Sequence, residues 1–337
     1  MKRILGLVSV LVLSAAACND GDVSSGAASN ETPTETPTGT ETPSVTPTPP
    51  ADLHEVRFVA LGDTGNGYED QYPVASAMAQ KCAQDGCDFG MLLGDNFYNT
   101  GVSSATDEQF YGKFEQPYGG LVFPFFVVLG NHDYGGDGAG YEFDKGAHQV
   151  AYAQTHPQFV MPAEYYTFKE DAAAFLALGT NLIFWDHQDA VATQGDFYST
   201  VLDGSEEPWK IAFGHHPYLS NGKHGNAGEY DGVSWIPIAN GENVKQFFDE
   251  TLCGRIDLYI SGHDHSRQIL PGPAACDATF VVTGAGAKTT DLPGTGPSIF
   301  QKDTEGFTYF IVNDEKIVIQ MIDAAGTLEF EHTILHP

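Results

Sequence analysis

The sequence predicts an α/β fold in which two packed sheets are covered by helices on their outer faces. Short apolar runs that end in a glycine and a polar residue recur along the chain, and helical stretches separate several of them. Near the C-terminus the pattern changes to closely spaced apolar segments joined by short polar turns. Strands alternating with helices favour a largely parallel sheet, whereas strands joined by short turns favour an antiparallel one.

Five of the apolar runs share one pattern, in which the glycine precedes a side chain that can bind metal. They are 56–61 before Gly62-Asp63, 89–93 before Gly94-Asp95, 125–129 before Gly130-Asn131-His132, 211–213 before Gly214-His215, and 256–260 before Gly262-His263-Asp264-His265. Short runs with aromatic and β-branched residues, closed by glycine, predict buried strands. Since ligands gather at the carboxyl ends of parallel strands, we expect these five clusters to meet.

The remaining elements complete one predicted domain over residues 53–337. Helices are predicted at 72–84, 107–114 and 243–251. An antiparallel meander is predicted from the segments 307–312, 316–322 and 328–334. Two packed sheets with outer helices accommodate both halves of this pattern in a single domain.

Residues 1–17 have the features of an export signal. Lys2 and Arg3 precede an apolar run that is too short for an ordinary membrane span, and small residues lead to Cys18. Cleavage before Cys18 fits an Ala-x-Ala signal-peptidase site, and it also resembles a bacterial lipoprotein signal in which Cys18 carries the lipid. We therefore expect an exported protein, either a cell-surface or periplasmic lipoprotein or a secreted one.

Residues 18–52 are predicted to form a disordered stalk. The segment consists almost entirely of Thr, Pro, Glu, Ser, Gly and Ala. Such a composition lacks the apolar residues that offset the entropy of ordering a chain. A stalk of this kind separates a folded domain from an anchor.

The charge balance of the chain excludes one class of partner. The formal net charge is −30, from 45 Asp and Glu against 15 Lys and Arg. This balance opposes binding to nucleic acid or to anionic lipid through a basic patch. Contact with a membrane is expected only through a lipid on Cys18, and the sequence does not specify an oligomeric state.

Four cysteines follow Cys18. They are Cys82, Cys87, Cys253 and Cys276. An even number in an exported chain predicts disulfides, with four buried thiols as the alternative. Three pairings are possible, and proximity in sequence favours Cys82 with Cys87 and Cys253 with Cys276.

The candidate metal ligands are oxygen and nitrogen donors. They are Asp63, Asp95, Tyr98, Asn131, His215, His263 and His265. A set without thiolates suits hard or borderline ions rather than a cysteine-rich structural zinc site. One carboxylate can bridge two ions about 3.5–4 Å apart, which is the spacing used in the hydrolysis of phosphate esters. Asp95 is the predicted bridge, because it is the middle carboxylate of the series and Tyr98 follows it closely.

The motifs GDTG, GDNFY, GNHD, GHH and GHDH occur in this order. The order resembles that of the purple acid phosphatases of the small tartrate-resistant type, within the calcineurin-like metallophosphoesterases. The resemblance covers most of residues 56–334. It implies a four-layer α/β/β/α sandwich of two mixed sheets. Many related phosphoesterases have histidine two positions after the first aspartate, whereas here Asp63 is followed by Thr64 and Gly65, and Tyr98 supplies the extra ligand.

The resemblance also implies how the ligands divide between two ions. One ion is held by Asp63, Asp95, Tyr98 and His265, and the other by Asp95, Asn131, His215 and His263. Two carboxylates and a phenolate favour a trivalent ion such as Fe(III), whereas the second set, with neutral Asn and His and the shared carboxylate, suits divalent Fe, Zn or Mn.

His132 and His224 match family positions that line the substrate pocket. We assign them to phosphate binding and to protonation of the leaving group, because the pKa of imidazole lies near neutrality. The implied reaction is attack on a phosphate monoester by a metal-bound hydroxide, which makes the protein an acid phosphatase. His216 replaces a residue that is commonly aromatic in the resembled motif, and we expect it to pack. The segment Trp185-Asp186-His187 is interpreted as a strand end with solvated polar residues.

Two other functions stay open at this point. A phosphodiesterase or nucleotidase would use the same metal site, because substrate choice depends on loops such as 133–146 and 220–241. A non-catalytic binding module on a stalk would keep the metals only to hold the fold. Such a module is expected to have lost a ligand or the acid histidine, and this chain has lost neither.

Overall fold

The computed structural model describes residues 55–67, 69–236 and 238–337. The predicted signal peptide at 1–17 and the predicted stalk at 18–52 lie outside these residues. Within the described ranges, no helix combines the length and the apolar character that a membrane span requires.

Fourteen strands and six α-helices, with short 3-10 and π-helical turns, make up the regular structure of the described residues. The strands are β1 Glu55–Leu61, β2 Phe89–Leu93, β3 Phe125–Val128, β4 Phe159–Val160, β5 Tyr166–Glu170, β6 Ala173–Ala177, β7 Trp209–Phe213, β8 Leu258–Ser261, β9 Arg267–Pro271, β10 Thr279–Thr283, β11 Phe300–Lys302, β12 Gly306–Asn313, β13 Lys316–Asp323 and β14 Leu328–Leu335. The helices are α1 Gln71–Asp85, α2 Gln116–Tyr118, α3 Gly146–Ala153, α4 Thr180–Trp185, α5 Ala190–Asp203 and α6 Glu242–Phe247.

The strands form two mixed sheets of seven strands each. The first has the order β14-β13-β12-β1-β2-β3-β4, and the second has the order β11-β9-β10-β8-β7-β6-β5. Strands β1 to β4 are parallel, and so are β6, β7, β8 and β10. The predicted meander is confirmed, because β12, β13 and β14 pair antiparallel and join the first sheet through β1.

The helices differ in part from the prediction. The helix predicted at 72–84 is confirmed as α1, whereas the one predicted at 107–114 begins at Gln109, because Asp107 accepts the Gln109 N–H and stops the helix from starting earlier. Its later part is a π-helical turn, Tyr111–Glu115, followed by α2. A second π-helical turn, Phe248–Leu252, extends α6. Helices α3, α4 and α5 were not predicted, and the interpretation of 185–187 as a strand end was wrong, since Trp185 ends α4 and Asp186 takes a left-handed conformation.

Phenylalanines hold the two sheets face to face. The ring of Phe175 in the second sheet meets Phe58 and Phe89 of the first edge to face, with centroids 5.6 and 5.5 Å apart. Phe126 stacks on Phe168 at 3.6 Å. Aromatic pairs of this kind contribute roughly 0.5–1.5 kcal/mol each beyond the area they bury. This packing fixes the carboxyl ends of the strands of both sheets relative to one another.

Helices cover the outer face of each sheet. Val74 and Met78 of α1 are buried in the same hydrophobic cluster as β1 of the first sheet. On the second sheet, Tyr198 of α5 donates a hydrogen bond to the carbonyl oxygen of Ala177, and Phe247 of α6 packs in the cluster that includes Ala212 of β7. The layers are therefore helix, sheet, sheet and helix, as the resemblance implies.

Both favoured disulfides form. Cys82, near the end of α1, bonds to Cys87 just before β2, and Cys253 bonds to Cys276 before β10. The larger loop spans 23 residues, and closing a loop of that length stabilises a fold by about 3 kcal/mol. The alternative of four thiols was wrong.

An ion pair between buried Arg267 and partly exposed Glu329 supports the strand that follows the last predicted metal ligand. Arg267, the first residue of β9, is fully buried, and its guanidinium donates to Glu329 Oε2 at 2.5 Å and to Thr304 Oγ1 at 2.6 Å. Lys302 also pairs with Glu329. Removing one partner of a buried pair leaves the other charge without compensation.

We therefore expect Glu329→Gln to lower the free energy of unfolding by about 3 kcal/mol. The control is Glu331→Gln on the same strand, where the exposed carboxylate accepts from Gln320 and the loss should stay within about 0.5 kcal/mol. Chemical denaturation of the two variants measures both values. Equal losses would contradict the role given to Arg267.

Candidate metal centre

The five predicted polar clusters meet where the two sheets adjoin. Asp63, Asp95 and Asn131 follow β1, β2 and β3 of the first sheet. His215 follows β7 of the second sheet, and His263 and His265 follow β8. Because all five strands are parallel within their sheets, their carboxyl ends lie on one side. The expectation that these clusters converge is confirmed.

Tight turns aim the carboxylates at this junction. Asp63, Asp95 and His263 have positive φ values of 59°, 52° and 69°. Left-handed backbone is uncommon outside glycine, although Asp and Asn adopt it more readily than most residues. Gly130 allows the close approach, since a Cβ atom at this position would lie 2.2 Å from Asp95 Oδ1. This accounts for the glycine before Asn131.

Asp63, Tyr98 and His265 form the first group of donors. The Tyr98 hydroxyl donates to Asp63 Oδ1 at 2.9 Å, and His265 Nε2 lies 3.4 Å from the same oxygen and 3.3 Å from the hydroxyl. Burial acts to raise the pKa of the Asp63 carboxyl, but the hydrogen bond from His265 and the nearby charge of Lys288 help lower it to about 2. Asp63 is therefore a carboxylate in the folded protein.

Asn131, His215 and His263 form the second group. Asn131 Oδ1 lies 2.9 Å from His215 Nε2 and 3.1 Å from His263 Nδ1. The other ring nitrogen of His215 contacts the carbonyl oxygen of Leu93 at 2.9 Å, which directs Nε2 towards the centre. The Asn131 amide nitrogen donates to the Gly138 carbonyl oxygen at 2.7 Å and leaves Oδ1 facing the histidines.

Asp95 lies between the two groups. Its Oδ1 is 3.5 Å from His215 Nε2, and its charge, together with that of Asp63, acts on Tyr98. Ligand atoms of Asp63, Asp95 and His215 all lie within 4.8 Å of one another. A carboxylate in this position can contact an ion on either side, as predicted for a bridge.

The donor arrangement fits metal ions. His263 Nδ1 and His215 Nε2 are 3.1 Å apart and both face the Asn131 oxygen. Burial lowers the pKa of His263 well below its usual value, and the neighbouring histidines lower it further. Neutral imidazole is the form that binds metal, and three acceptor atoms converging on one point suit a cation.

Tyr98 needs a strong cation to become a phenolate. Burial raises its pKa well above 10, and the charges of Asp63 and Asp95 raise it further. The Lys288 ammonium lies 3.5 Å from the centroid of the Tyr98 ring, on one face. Sequence reasoning missed Lys288, because its only signal was a position four residues beyond Gly284 in the strand-end segment VTGAGAK.

The two predicted catalytic histidines flank the ligand cluster. His132 Nδ1 contacts the carbonyl oxygen of Asn99 at 2.8 Å, and its ring lies 4.4 Å from that of Tyr98. The His224 ring lies 4.2 Å from that of His263, on the other side. Both are partly exposed, so both can reach a molecule bound at the cluster.

Two aspartates hold His224 in place. Its Nδ1 lies 2.8 Å from Asp231 Oδ1, and its backbone N–H donates to Asp264 Oδ1 at 2.8 Å. Burial acts to lower the pKa of His224, but the hydrogen bond to Asp231 and the charge of Asp264 outweigh it, so that the pKa is raised. Asp231, in loop 220–241, was missed because nothing in its local sequence links it to His224.

Asp133 is a third residue that sequence reasoning missed. Its buried carboxylate accepts the backbone N–H groups of Asn96, Phe97 and Gly130 and the Gln149 amide, at 2.8–3.1 Å. Burial and the charge of Asp95 raise its pKa to about 6. Asp133 thus connects the loop that contains Asp95 and Tyr98 to the turn that contains Asn131. In the sequence, its position in the motif GNHD was the feature from which this role could have been predicted.

His216 packs, as expected. It is buried, its Nδ1 lies 3.0 Å from the Thr180 hydroxyl, and its ring stacks on Phe184 with centroids 5.4 Å apart. Burial lowers its pKa well below the usual value.

Known proteins share both sequence and fold with this chain. Tartrate-resistant acid phosphatase type 5 from Rattus norvegicus is 26% identical, over 84% of this chain and 91% of its own length. Purple acid phosphatase 3 from Arabidopsis thaliana is 28% identical, over 80% of this chain and 75% of its own length.

Among solved structures, a purple acid phosphatase from yellow lupin (Lupinus luteus) seeds superposes with a TM-score of 0.62 and 18% identity, over 83% of this chain and 54% of the lupin chain. GAP50, the anchor in the inner membrane complex of Plasmodium, superposes with a TM-score of 0.67 and 22% identity, over 84% of this chain and 89% of its own. At these identities the likeness shows the fold alone.

The sequence profile of the calcineurin-like phosphoesterases matches residues 56–267, which include all seven predicted ligands. The match covers more than half of the chain, and the two sheets and the strand-end cluster agree with it. The chain belongs to the calcineurin-like phosphoesterase family, whose reaction is the hydrolysis of phosphate esters.

Proposed function

We propose that the protein is a phosphate monoesterase of the acid phosphatase type that uses two metal ions. The observation that carries the proposal is the division of the donors around Asp95, with Asp63, Tyr98 and His265 on one side and Asn131, His215 and His263 on the other. Relatives named as acid phosphatases over most of the chain support the monoester reaction.

The two groups suit different ions. We assign Fe(III) to Asp63, Asp95, Tyr98 and His265, because two carboxylates and a phenolate offset a triple positive charge. We assign a divalent ion, Fe, Zn or Mn, to Asp95, Asn131, His215 and His263, where only the shared carboxylate carries charge. When bound, the ions activate a water and neutralise the phosphoryl oxygens.

The side chains around the cluster supply the other steps. His132 Nδ1 donates to the Asn99 carbonyl oxygen, so the doubly protonated ring has its Nε2–H free to donate to a phosphoryl oxygen. His224 Nδ1–H donates to the Asp231 carboxylate, and this contact favours the imidazolium form, in which Nε2 also carries a proton. We assign that Nε2 proton to the leaving-group oxygen. Asp264, between two predicted ligands in sequence, holds the backbone of His224 and so keeps the acid next to the cluster.

The first test compares hydrolysis of an aryl phosphate monoester and the matching diester. We expect the monoester to be preferred, and Asp95→Ala to lower kcat/KM by about a thousandfold or more, because the bridging carboxylate serves both ions. Asp277→Ala, at an exposed position, is the control and should keep the wild-type rate. Initial rates and metal content are measured together.

Other outcomes of this test point to other functions. Preference for the diester would favour a phosphodiesterase or nucleotidase with the same metal site. Turnover of neither ester by protein that carries two metals would leave a metal-stabilised binding module.

A second test addresses His224. We expect His224→Gln to reduce kcat about a hundredfold for ethyl phosphate, whose alkoxide leaves poorly without a proton, and less than about tenfold for 4-nitrophenyl phosphate. His336→Gln, at an exposed histidine after β14, is the control. Equal losses on both substrates would assign His224 to phosphate binding instead of proton donation.

The proposal includes export of the protein, with a lipid on Cys18 or as a secreted form. The composition of residues 1–17 supports export. Mass spectrometry of the mature N-terminus distinguishes the two forms, because a lipid adds several hundred daltons to a chain that begins at Cys18. An intact Met1 in protein purified from the native cell would contradict both.

A further inference from the structure

Lys288 lies on a segment that is fixed against the predicted ligands. The segment follows β10, which is parallel to β8, so it starts at the edge of the sheet where the ligands gather. The Gly286 N–H donates to the Gly62 carbonyl oxygen at 3.1 Å, and the Thr290 N–H donates to the His265 carbonyl oxygen at 3.0 Å. Gly62 directly precedes the first predicted ligand, and His265 is a ligand itself. The backbone on both sides of Lys288 is therefore attached to the first group of donors.

Among the residues that the structure describes, none forms a hydrogen bond or an ion pair with the Lys288 ammonium. Its contact is with the ring of Tyr98, whose centroid lies 3.5 Å away. Lys113 is different, because it donates to the Tyr98 carbonyl oxygen at 2.5 Å and to Gln109 Oε1 at 2.7 Å. Lys113 thus supports the Tyr98 loop, whereas Lys288 keeps three N–H donors for a bound molecule.

The charge of Lys288 acts on the predicted ligands. Burial acts to raise the pKa of Asp63, and Lys288 is one of the positive charges that help lower it to about 2. Burial lowers the pKa of Lys288 itself, and the charges of Asp63 and Asp95 act against this shift. The Lys288 side chain is also partly exposed. An ammonium that interacts with both carboxylates and also contacts solvent can reach an anion bound at the ligand cluster.

The proposed metal-bound protein does not need Lys288 to balance charge. A trivalent and a divalent ion bring more positive charge than Asp63, Asp95 and the Tyr98 phenolate offset. A further ammonium beside this excess is repelled, and its partial burial adds to the cost. An anionic substrate removes the repulsion and accepts the N–H donors, so the position of Lys288 is favourable once an anion is bound.

We infer that Lys288 donates a hydrogen bond to a phosphoryl oxygen of the substrate and makes the site prefer the dianion of a phosphate monoester to the monoanion of a diester. This inference rests on the proposed function and names a residue that separates the two ester classes. At the same distance an ammonium attracts a dianion about twice as strongly as a monoanion. His132, whose ring lies 4.4 Å from the Tyr98 ring, is left for another phosphoryl oxygen.

The test measures binding of phenylphosphonate and methyl(phenyl)phosphinate by calorimetry, at a pH where the phosphonate is a dianion. In the phosphinate a methyl group replaces one oxygen, so the two ligands are similar in size but differ in charge, and neither contains an ester. We expect Lys288→Met to weaken the phosphonate about tenfold and the phosphinate less than about threefold. Methionine keeps an apolar side chain against the Tyr98 ring, so the variant removes mainly the charge.

The matched control is Lys223→Met. Lys223 is exposed and lines a cavity that none of the seven predicted ligands borders. Removing this charge changes the net charge of the protein by the same amount, but at a position screened by solvent. We expect both affinities to stay within about twofold of the wild type.

Metal content is measured for every protein, because Lys288 packs on a predicted ligand. Loss of metal from Lys288→Met, with both ligands weakened alike, would mean that Lys288 only supports Tyr98 and would overturn the inference. A loss of affinity mainly for the phosphonate, at unchanged metal content, supports it even if no ester is turned over. Unchanged affinity for the phosphonate overturns it, even if phosphatase activity is present.

Discussion

Two carboxylates, Asp63 and Asp95, are buried where the sheets adjoin, and the surrounding structure must offset the cost of removing them from water. Asp63 accepts the Tyr98 hydroxyl and the His263 backbone N–H, and Asp95 accepts the backbone N–H of His132. These donors only partly compensate two adjacent negative charges. The arrangement is consistent with a site that is completed by cations, which is why we interpret the cluster as a metal centre and not as an ion-pair network.

The positions of the candidate metal ligands and of His224 depend on other buried polar groups around them. The Asp133 carboxylate accepts three backbone N–H groups from two ligand loops, and Asp264 accepts the backbone of His224. The His215 ring is aimed by the Leu93 carbonyl oxygen from the other sheet. Apart from the local contact between Gly130 and Asp133, these contacts link segments that are far apart in sequence. The ligand geometry therefore depends on the packing of both sheets and not on any one loop.

Much of this could be predicted from the sequence. The apolar runs that end in glycine correctly predicted the strands β1, β2, β3, β7 and β8. Because these strands are parallel within their sheets, the seven candidate ligands lie close together at their carboxyl ends. The prediction succeeded because both signals, apolar continuity and the residue after the glycine, are local. Helix α5 was missed because its sequence contains Gly195 and several Ser and Thr residues, which are weak helix formers, and tertiary packing of residues such as Tyr198 stabilises it instead.

Residues whose roles depend on contacts distant in sequence were missed for a different reason. Lys288 over the Tyr98 ring and Asp231 on His224 gain their roles only from residues brought close by the fold. No spacing in the sequence distinguishes them from ordinary surface or core residues. The same is true of Arg267, whose burial against Glu329 depends on the register between β9 and the C-terminal meander.

Each donor group contains residues from both sheets. In one group, His265 of the second sheet lies beside Asp63 and Tyr98 of the first sheet. In the other group, Asn131 of the first sheet lies beside His215 and His263 of the second sheet. An ion held by such a group is a cross-link between the two halves of the sandwich. A ligand that binds only the folded state raises the free energy of unfolding. The increase grows with the logarithm of the free ligand concentration divided by the dissociation constant. In the proposed metal-bound protein, resistance to unfolding and proteolysis depends on the metal supply of the compartment in which the chain folds.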